Sequence, residues 1–134
     1  MAHARSVSVS ARHFTDLILW QLGDQLRTEV FELTKRAAWR TDFKSRAQLD
    51  DAADSVCRNI AEGFGGQSNR EFARFVRIAR RSLNEVQDGL RSATLKKYVT
   101  ESDLREIRSL THRMYPAFAS LLRHLERSRP DDDP

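Results

Sequence analysis

Ser55-Val56-Cys57-Arg58-Asn59-Ile60-Ala61-Glu62-Gly63-Phe64-Gly65-Gly66-Gln67-Ser68-Asn69-Arg70-Glu71-Phe72 lies in the middle of the chain and holds three of its five glycines. It has the form of a helix end, a glycine-rich corner and the capped start of a second helix. Gly63 is expected to take the left-handed conformation that closes a helix, and Gly65-Gly66 let the chain turn without steric cost. Ser68 with Glu71 three residues later has the pattern of a capping box. Asn59, Glu62, Gly63, Ser68 and Glu71 are therefore the structural corner residues, and the corner makes an antiparallel helix pair.

Apolar periodicity runs away from this corner in both directions. Upstream, Leu49, Ala53, Val56, Ile60 and Phe64 recur at steps of three and four, which at 100° per residue places them within about 80° of one another. Downstream, a helix from about Asn69 to Lys97 carries Phe72, Phe75, Val76, Ala79, Leu83, Val86, Leu90 and Ala93 on one side. Further out, Leu19, Leu22, Leu26, Val30, Leu33 and Ala37 mark a first helix from Asp16 to Trp39, with Trp20 and Phe31 widening its buried face. A polar joint over residues 40–45 separates it from the second. Beyond a break at Lys97 to Thr100, Leu104, Ile107, Leu110, Met114, Phe118, Leu121 and Leu125 mark a fourth helix. Thr100 or Ser102 is positioned to cap it, and Pro116 is expected to bend it near His112. The expectation is an all-α, antiparallel up-down-up-down four-helix bundle over residues 14–127. A loose arm (1–13) precedes it and a disordered acidic tail (128–134) follows.

Composition agrees with that class. The chain has 134 residues, enough for one domain with an ordinary core, and only five glycines and three prolines, too little turn chemistry for a sheet. A single cysteine, Cys57, excludes an internal disulfide and is expected to be buried as a small hydrophobe. No apolar run approaches a membrane span, no signal-peptide core precedes the bundle, and a bacterial-type cytoplasm is the default location.

The formal net charge of +4 says little by itself, but its distribution says more. Helix three holds eight basic residues against Glu71, Glu85 and Asp88. Projected at 100° per residue, Arg70, Arg74, Arg77 and Arg81 fall within about 60°, opposite Phe72, Leu83 and Leu90. With Lys96 and Lys97 they are the candidate phosphate-contacting residues for RNA or DNA. No aromatic shares the stripe, so base stacking is not indicated. The competing reading is a solvated face, or one paired with Asp50, Asp51 and Asp54 of a neighbouring helix or subunit, where surface pairs contribute below about 1 kcal/mol each.

Asn59 and Glu62 lack a second acid or base nearby, so they read as helix-ending groups, with Asn59 hydrogen-bonded across the bundle or a subunit boundary. His3 and His13 lie in the arm, and His112 and His124 lack the spacing of bundle metal sites, so no metal is expected. The glycines form no phosphate loop, and neither a cofactor nor an enzymatic constellation is indicated.

Gln48-Leu49, Ala52-Ala53, Ser55-Val56, Asn59-Ile60-Ala61-Glu62-Gly63-Phe64, Ser68, Glu71-Phe72, Ile78-Ala79, Ser82-Leu83 and Glu85 together resemble the four-helix-bundle proteins related to those encoded in 23S ribosomal RNA intervening sequences. Leu17, Trp20-Gln21, Leu26 and Leu33-Thr34 extend the resemblance, which spans residues 14–125. It implies a small cytosolic bundle that assembles into a homopentameric ring. It also implies kinship with the accessory proteins of diversity-generating retroelements, whose partners are nucleic acid and a reverse transcriptase. Two positions depart from the pattern. Asp50-Asp51 stands where relatives carry a basic pair, which weakens a nucleic-acid reading of helix two, and Arg81 stands where they carry glycine.

Trp20, Trp39, Phe43 and Tyr115 fall off or at the edges of the main stripes and are the candidate oligomer-interface residues. The resulting expectation is a non-enzymatic oligomeric bundle that binds nucleic acid through the helix-three stripe as an accessory factor. The alternative is a protein-protein interaction scaffold with no nucleic-acid binding.

Overall fold

A computed structural model of the protein describes residues 11–127. The first ten residues of the expected arm, with His3, and the whole expected acidic tail lie outside the described residues. Four helices make up the described chain: α1 (Ile18–Thr34), α2 (Phe43–Phe64), α3 (Asn69–Leu95) and α4 (Arg105–Glu126). Short 3-10 turns precede α1 (Phe14–Asp16) and α2 (Ala37–Trp39). No strand is present among the described residues.

The side-chain pairings between helices run in opposite directions along every neighbouring pair that follows in sequence. Arg27 reaches Asp54 while Thr34 reaches Asp50. Leu49 approaches Gly89, and Gly63 approaches Phe72 and Phe75. Arg77 meets Glu126 while Gln87 meets Arg108. With α4 also packed on α1, the four helices form an antiparallel up-down-up-down bundle in ring order, and α2 with α3 makes its most extensive contact. Leu26, Val30, Val56, Ile60, Val76, Leu83, Leu90, Met114 and Phe118 fill the centre with no exposed surface. These are the positions that the three-and-four spacing placed inward.

Each helix end has a local cause. Ser68 Oγ accepts from the Glu71 amide at 3.0 Å and starts α3. The reciprocal half of the expected capping box is replaced, because Glu71 turns its carboxylate to Arg74. α3 ends in a Schellman motif in which the Tyr98 amide donates to Ala93 and the Lys97 amide to Thr94. The left-handed residue of that motif is Lys97, with φ of 65°.

Gly63 has a different role from the one expected. No described glycine has a positive φ, and α2 ends at Gly65 with φ of −80°. Gly63 lies inside the helix, where a Cβ would sit 2.7 Å from the Phe75 Cβ and 2.9 Å from Phe72 Cδ1. The corner needs this glycine for close approach of α3 rather than for backbone handedness.

Several boundaries also move. α1 stops at Thr34, because Arg36 takes an extended conformation and a 3-10 turn swings Trp39 under the bundle end. Ala37 is consequently exposed, and Phe31, 36% exposed, does not widen the buried face. α2 starts at Phe43, inside the expected joint, where Asp42 caps it by accepting from the Ser45 amide. Thr100 caps the turn before α4 in exchange with Asp103, and α4 itself begins after Leu104 without a side-chain cap. Pro116 lies within α4, which continues past it to Glu126. Order also begins before residue 14, since His13 and Asp16 form a capping box around the first turn and Ala11 packs against the core.

Candidate nucleic-acid interface

α3, started by the Ser68 cap, carries Arg70, Arg74, Arg77 and Arg81 on one face, which the Arg77–Glu126 contact sets beside α4. They differ in how they are compensated. Arg74 donates to both carboxylate oxygens of Glu71, at 3.0 and 3.4 Å. Those hydrogen bonds hold the Glu71 carboxyl below its usual range and push the Arg74 guanidinium up. Arg77 bridges to Glu126 in the last turn of α4. Among the described residues, Arg70 and Arg81 are exposed and form no ion pair. Half of the stripe is thus tied down, and half offers its donors to an incoming anion.

The structure extends this face in a way the α3 pattern alone did not indicate. Because Arg77 holds Glu126, the exposed Arg123 and Arg127 of the α4 end lie on the same corner, again without an ion pair among the described residues. The signal available in sequence was the four-residue spacing of Arg123 and Arg127, but only the α3–α4 register joins them to the stripe. One aromatic stands beside it after all: the Arg74 guanidinium covers the half-buried Phe75 ring at 4.5 Å. That ring face is occupied and does not add a stacking platform.

Lys96 and Lys97 do not join this group. Lys96 is fifteen residues beyond Arg81, about 22 Å along the helix, and it donates to Asp42 at 3.0 Å. Lys97 is exposed at the left-handed position. Nor do Asp50 and Asp54 of α2 pair with the stripe among the described residues. Asp54 pairs with Arg27 of α1 and with Arg58, and Asp50 accepts from Thr34 Oγ1 and faces Arg46 at 3.8 Å.

The corner residues are structural in placement. Asn59 donates back to the Ser55 carbonyl and hydroxyl, at 2.8 and 2.9 Å, so its hydrogen bonds lie on its own helix rather than across the bundle. The link across comes from Ser55 and Ser82, whose hydroxyls lie 2.9 Å apart. Glu62 is exposed on the last turn of α2. Cys57 is buried, and burial pushes its thiol up to about 12.

Of the candidate interface residues, Trp39 is withdrawn. It has no exposed surface, stacks edge-on against Tyr98 at 5.2 Å, and its Nε1 has no hydrogen-bond partner among the described residues. Trp20 is half-buried against Phe14, and Tyr115 is half-buried with its hydroxyl donating to Asn84 Oδ1. Phe43 is 73% exposed, and Ile18 and Leu95, which the sequence reading passed over, are 64% and 63% exposed. Among the described residues no group of His, Cys, Asp and Glu is placed to hold a metal ion, and no helix is long and apolar enough to cross a membrane.

The sequence model of a family described as 23S rRNA-intervening sequence protein matches residues 15–118. No curated protein matches the chain.

Proposed function

Since the chain belongs to the 23S rRNA-intervening sequence protein family, we propose that it is a non-enzymatic, oligomeric accessory factor whose α3–α4 arginine corner binds the phosphates of RNA or DNA. The observation that carries this reading is the set Arg70, Arg81, Arg123 and Arg127, exposed and without ion pairs among the described residues. Guanidinium groups in that state gain charge-assisted hydrogen bonds from a phosphate at little cost in broken contacts. Sequence-independent attraction to a polyanion is the chemistry such a corner performs, and release of condensed counterions drives it.

The charge layout supports assembly as well. α3 and α4 carry ten arginines against five acidic residues, whereas α1 and α2 carry four basic residues against seven acidic ones. One flank of the bundle is therefore electrostatically complementary to the other. A contact between unlike flanks is head-to-tail, the kind of contact that builds a ring such as a homopentamer when the rotation between copies closes. Exposed Ile18, Phe43 and Leu95 also favour the second reading, a scaffold that contacts only protein, including a reverse transcriptase.

Binding to labelled structured RNA and duplex DNA separates the two. Wild type is compared with Arg70→Glu/Arg81→Glu/Arg123→Glu, which spares the paired Arg74 and Arg77, at matched helicity and mass. Phosphate contact predicts an affinity that falls at least ~tenfold between about 50 and 200 mM salt and is largely lost in the variant. No wild-type binding at low salt, or binding the variant retains, leaves the scaffold.

A further inference from the structure

Arg105 and Arg123 are eighteen residues apart on α4, five full turns, so they project in the same direction with about 27 Å between them. Between them the same side of α4 carries Ser109, His112, Pro116 and Ser120, all exposed and none of them acidic. Arg123 belongs to the arginine corner, whereas Arg105 stands at the far end of the helix. There Arg108 donates to Gln87 of α3 at 3.0 Å, which sets the exposed Arg91, one turn beyond Gln87, beside the start of α4. Arg91 and Arg105 form no ion pair among the described residues; Glu101 is taken by Arg108 at 3.2 Å and Asp103 by Arg36. The carboxylates of α3 and α4 are also accounted for. Glu71 and Glu126 hold arginines of the corner, Glu85 and Asp88 line the groove toward α2, and Glu106 lines the groove toward α1. The outer α3–α4 face is thus basic at both ends, with its acidic residues either paired or lining the flanking grooves.

We propose that this face takes a nucleic-acid double helix laid along α4, its phosphates held at the arginine corner and again at Arg91 and Arg105. The inference rests on reading the corner as phosphate-binding and adds the form of nucleic acid that fits. A duplex advances about 3.4 Å per base pair, so about eight base pairs cover the distance from Arg123 to Arg105. With a persistence length of about 150 base pairs it is straight over that span, and the second contact costs no ordering of the ligand. A single strand must instead be stretched from one end to the other. The strip between Arg105 and Arg123 offers it no Phe, Tyr or Trp ring on which unpaired bases could stack. Contacts to phosphate carry no base identity, so the face selects a duplex of sufficient length rather than a sequence.

The test titrates the full chain with two hairpins that share a loop and have stems of about 5 or 16 base pairs, the shorter covering about 17 Å and reaching one end only. A single strand with as many phosphates as the longer hairpin is the third ligand. Between about 50 and 200 mM salt, wild type is expected to bind the long stem at least ~tenfold more tightly than either the short stem or the single strand. Arg91→Gln/Arg105→Gln, at matched helicity and mass, loses that preference and keeps its short-stem affinity within about twofold. Its slope of log affinity against log salt on the long stem becomes shallower by about 2, one for each phosphate contact given up. Equal binding of the two stems by wild type overturns the two-ended contact, as does a variant with unchanged long-stem affinity and slope. A single strand bound as tightly as the long stem overturns the duplex form. The short stem tests the corner by itself. If Arg70→Glu/Arg81→Glu/Arg123→Glu abolishes its binding while the length preference is absent, the corner stands and the duplex track falls; if no ligand binds at low salt, both fall.

Discussion

Gly63 shows how a single residue can be recognised correctly as essential to a corner and yet for another reason. Its φ is ordinary; what it supplies is the missing Cβ, without which Phe72 and Phe75 of α3 lie against the α2 backbone. Gly89 is the converse case, since the tight contact of a Cβ there, at 2.9 Å, would be with Leu49 Cδ1, the far end of a side chain that can rotate, while Leu49 Cγ and Cβ stay at ordinary distances of 3.8 and 3.9 Å. Gly63→Ala is therefore expected to destabilise the fold by about 1–3 kcal/mol through overpacking against a Cβ and a ring. Gly89→Ala is expected to cost clearly less, because added helix propensity of up to about 1 kcal/mol offsets the shift of Leu49. Urea midpoints of both variants check this, and equal losses at the two positions would remove the close-approach account.

At the scale of elements, the bundle end opposite the arginine corner is held by a few carboxylates joining segments distant in sequence. Asp42, the cap of α2, accepts from Tyr98 Oη at 2.7 Å and from Lys96 Nζ at 3.0 Å, and so ties α2 to the end of α3. Asp103 accepts from the Thr100 amide and pairs with Arg36, which ties the α4 entry to the end of α1. The hydrogen bond from Tyr98, then that from Lys96, holds the Asp42 carboxyl below its usual range; the Thr100 amide, then Arg36, does so for Asp103. A carboxyl depressed on folding adds stability above its unfolded value near 3.8 and loses it as pH falls through the lower folded value. The urea midpoint should accordingly hold from neutrality to about pH 5 and drop below about pH 4. Asp42→Asn should lower the neutral midpoint and make the acid drop shallower. An unchanged acid drop in that variant would show that the tie has no part in it.

For the whole molecule, ring order turns the composition of four helices into two flanks of opposite charge. Residues remote in sequence, such as Arg81 and Arg123, come to share one side, while Asp51 and Glu29 lie on helices of the other. With Phe43, Ile18 and Leu95 exposed, the chain retains apolar surface, which under the assembly proposal a second copy covers. Light scattering at micromolar concentration is expected to give a mass several times the 15.5 kDa of one chain. That mass should decrease at high salt if the unlike flanks meet, because exposed charges further apart than about 3 Å are screened at 1 M. A monomeric mass at low salt would end the assembly proposal.

The bundle was legible in the sequence because helical periodicity is a local property: Leu26, Val56, Ile60, Leu83 and Phe118 declare an inward face without reference to one another. Ser68 as a cap was equally local, since its hydroxyl needs only an amide three residues away. Which arginines remain uncompensated was not legible, because it depends on the α3–α4 register that gives Arg77 to Glu126 and leaves Arg70 and Arg81 unpaired among the described residues. Trp39 was misplaced for the same kind of reason. Off-stripe position implies exposure only while a helix continues, and the turn after Thr34 carried the indole under the bundle end against Tyr98. Sequence alone thus determined the helices and their buried faces, whose energetics repeat every three or four residues. Tertiary structure alone decided the charge partners, the close approach at Gly63 and the site of the arginine corner, because each depends on atoms that only folding brings together.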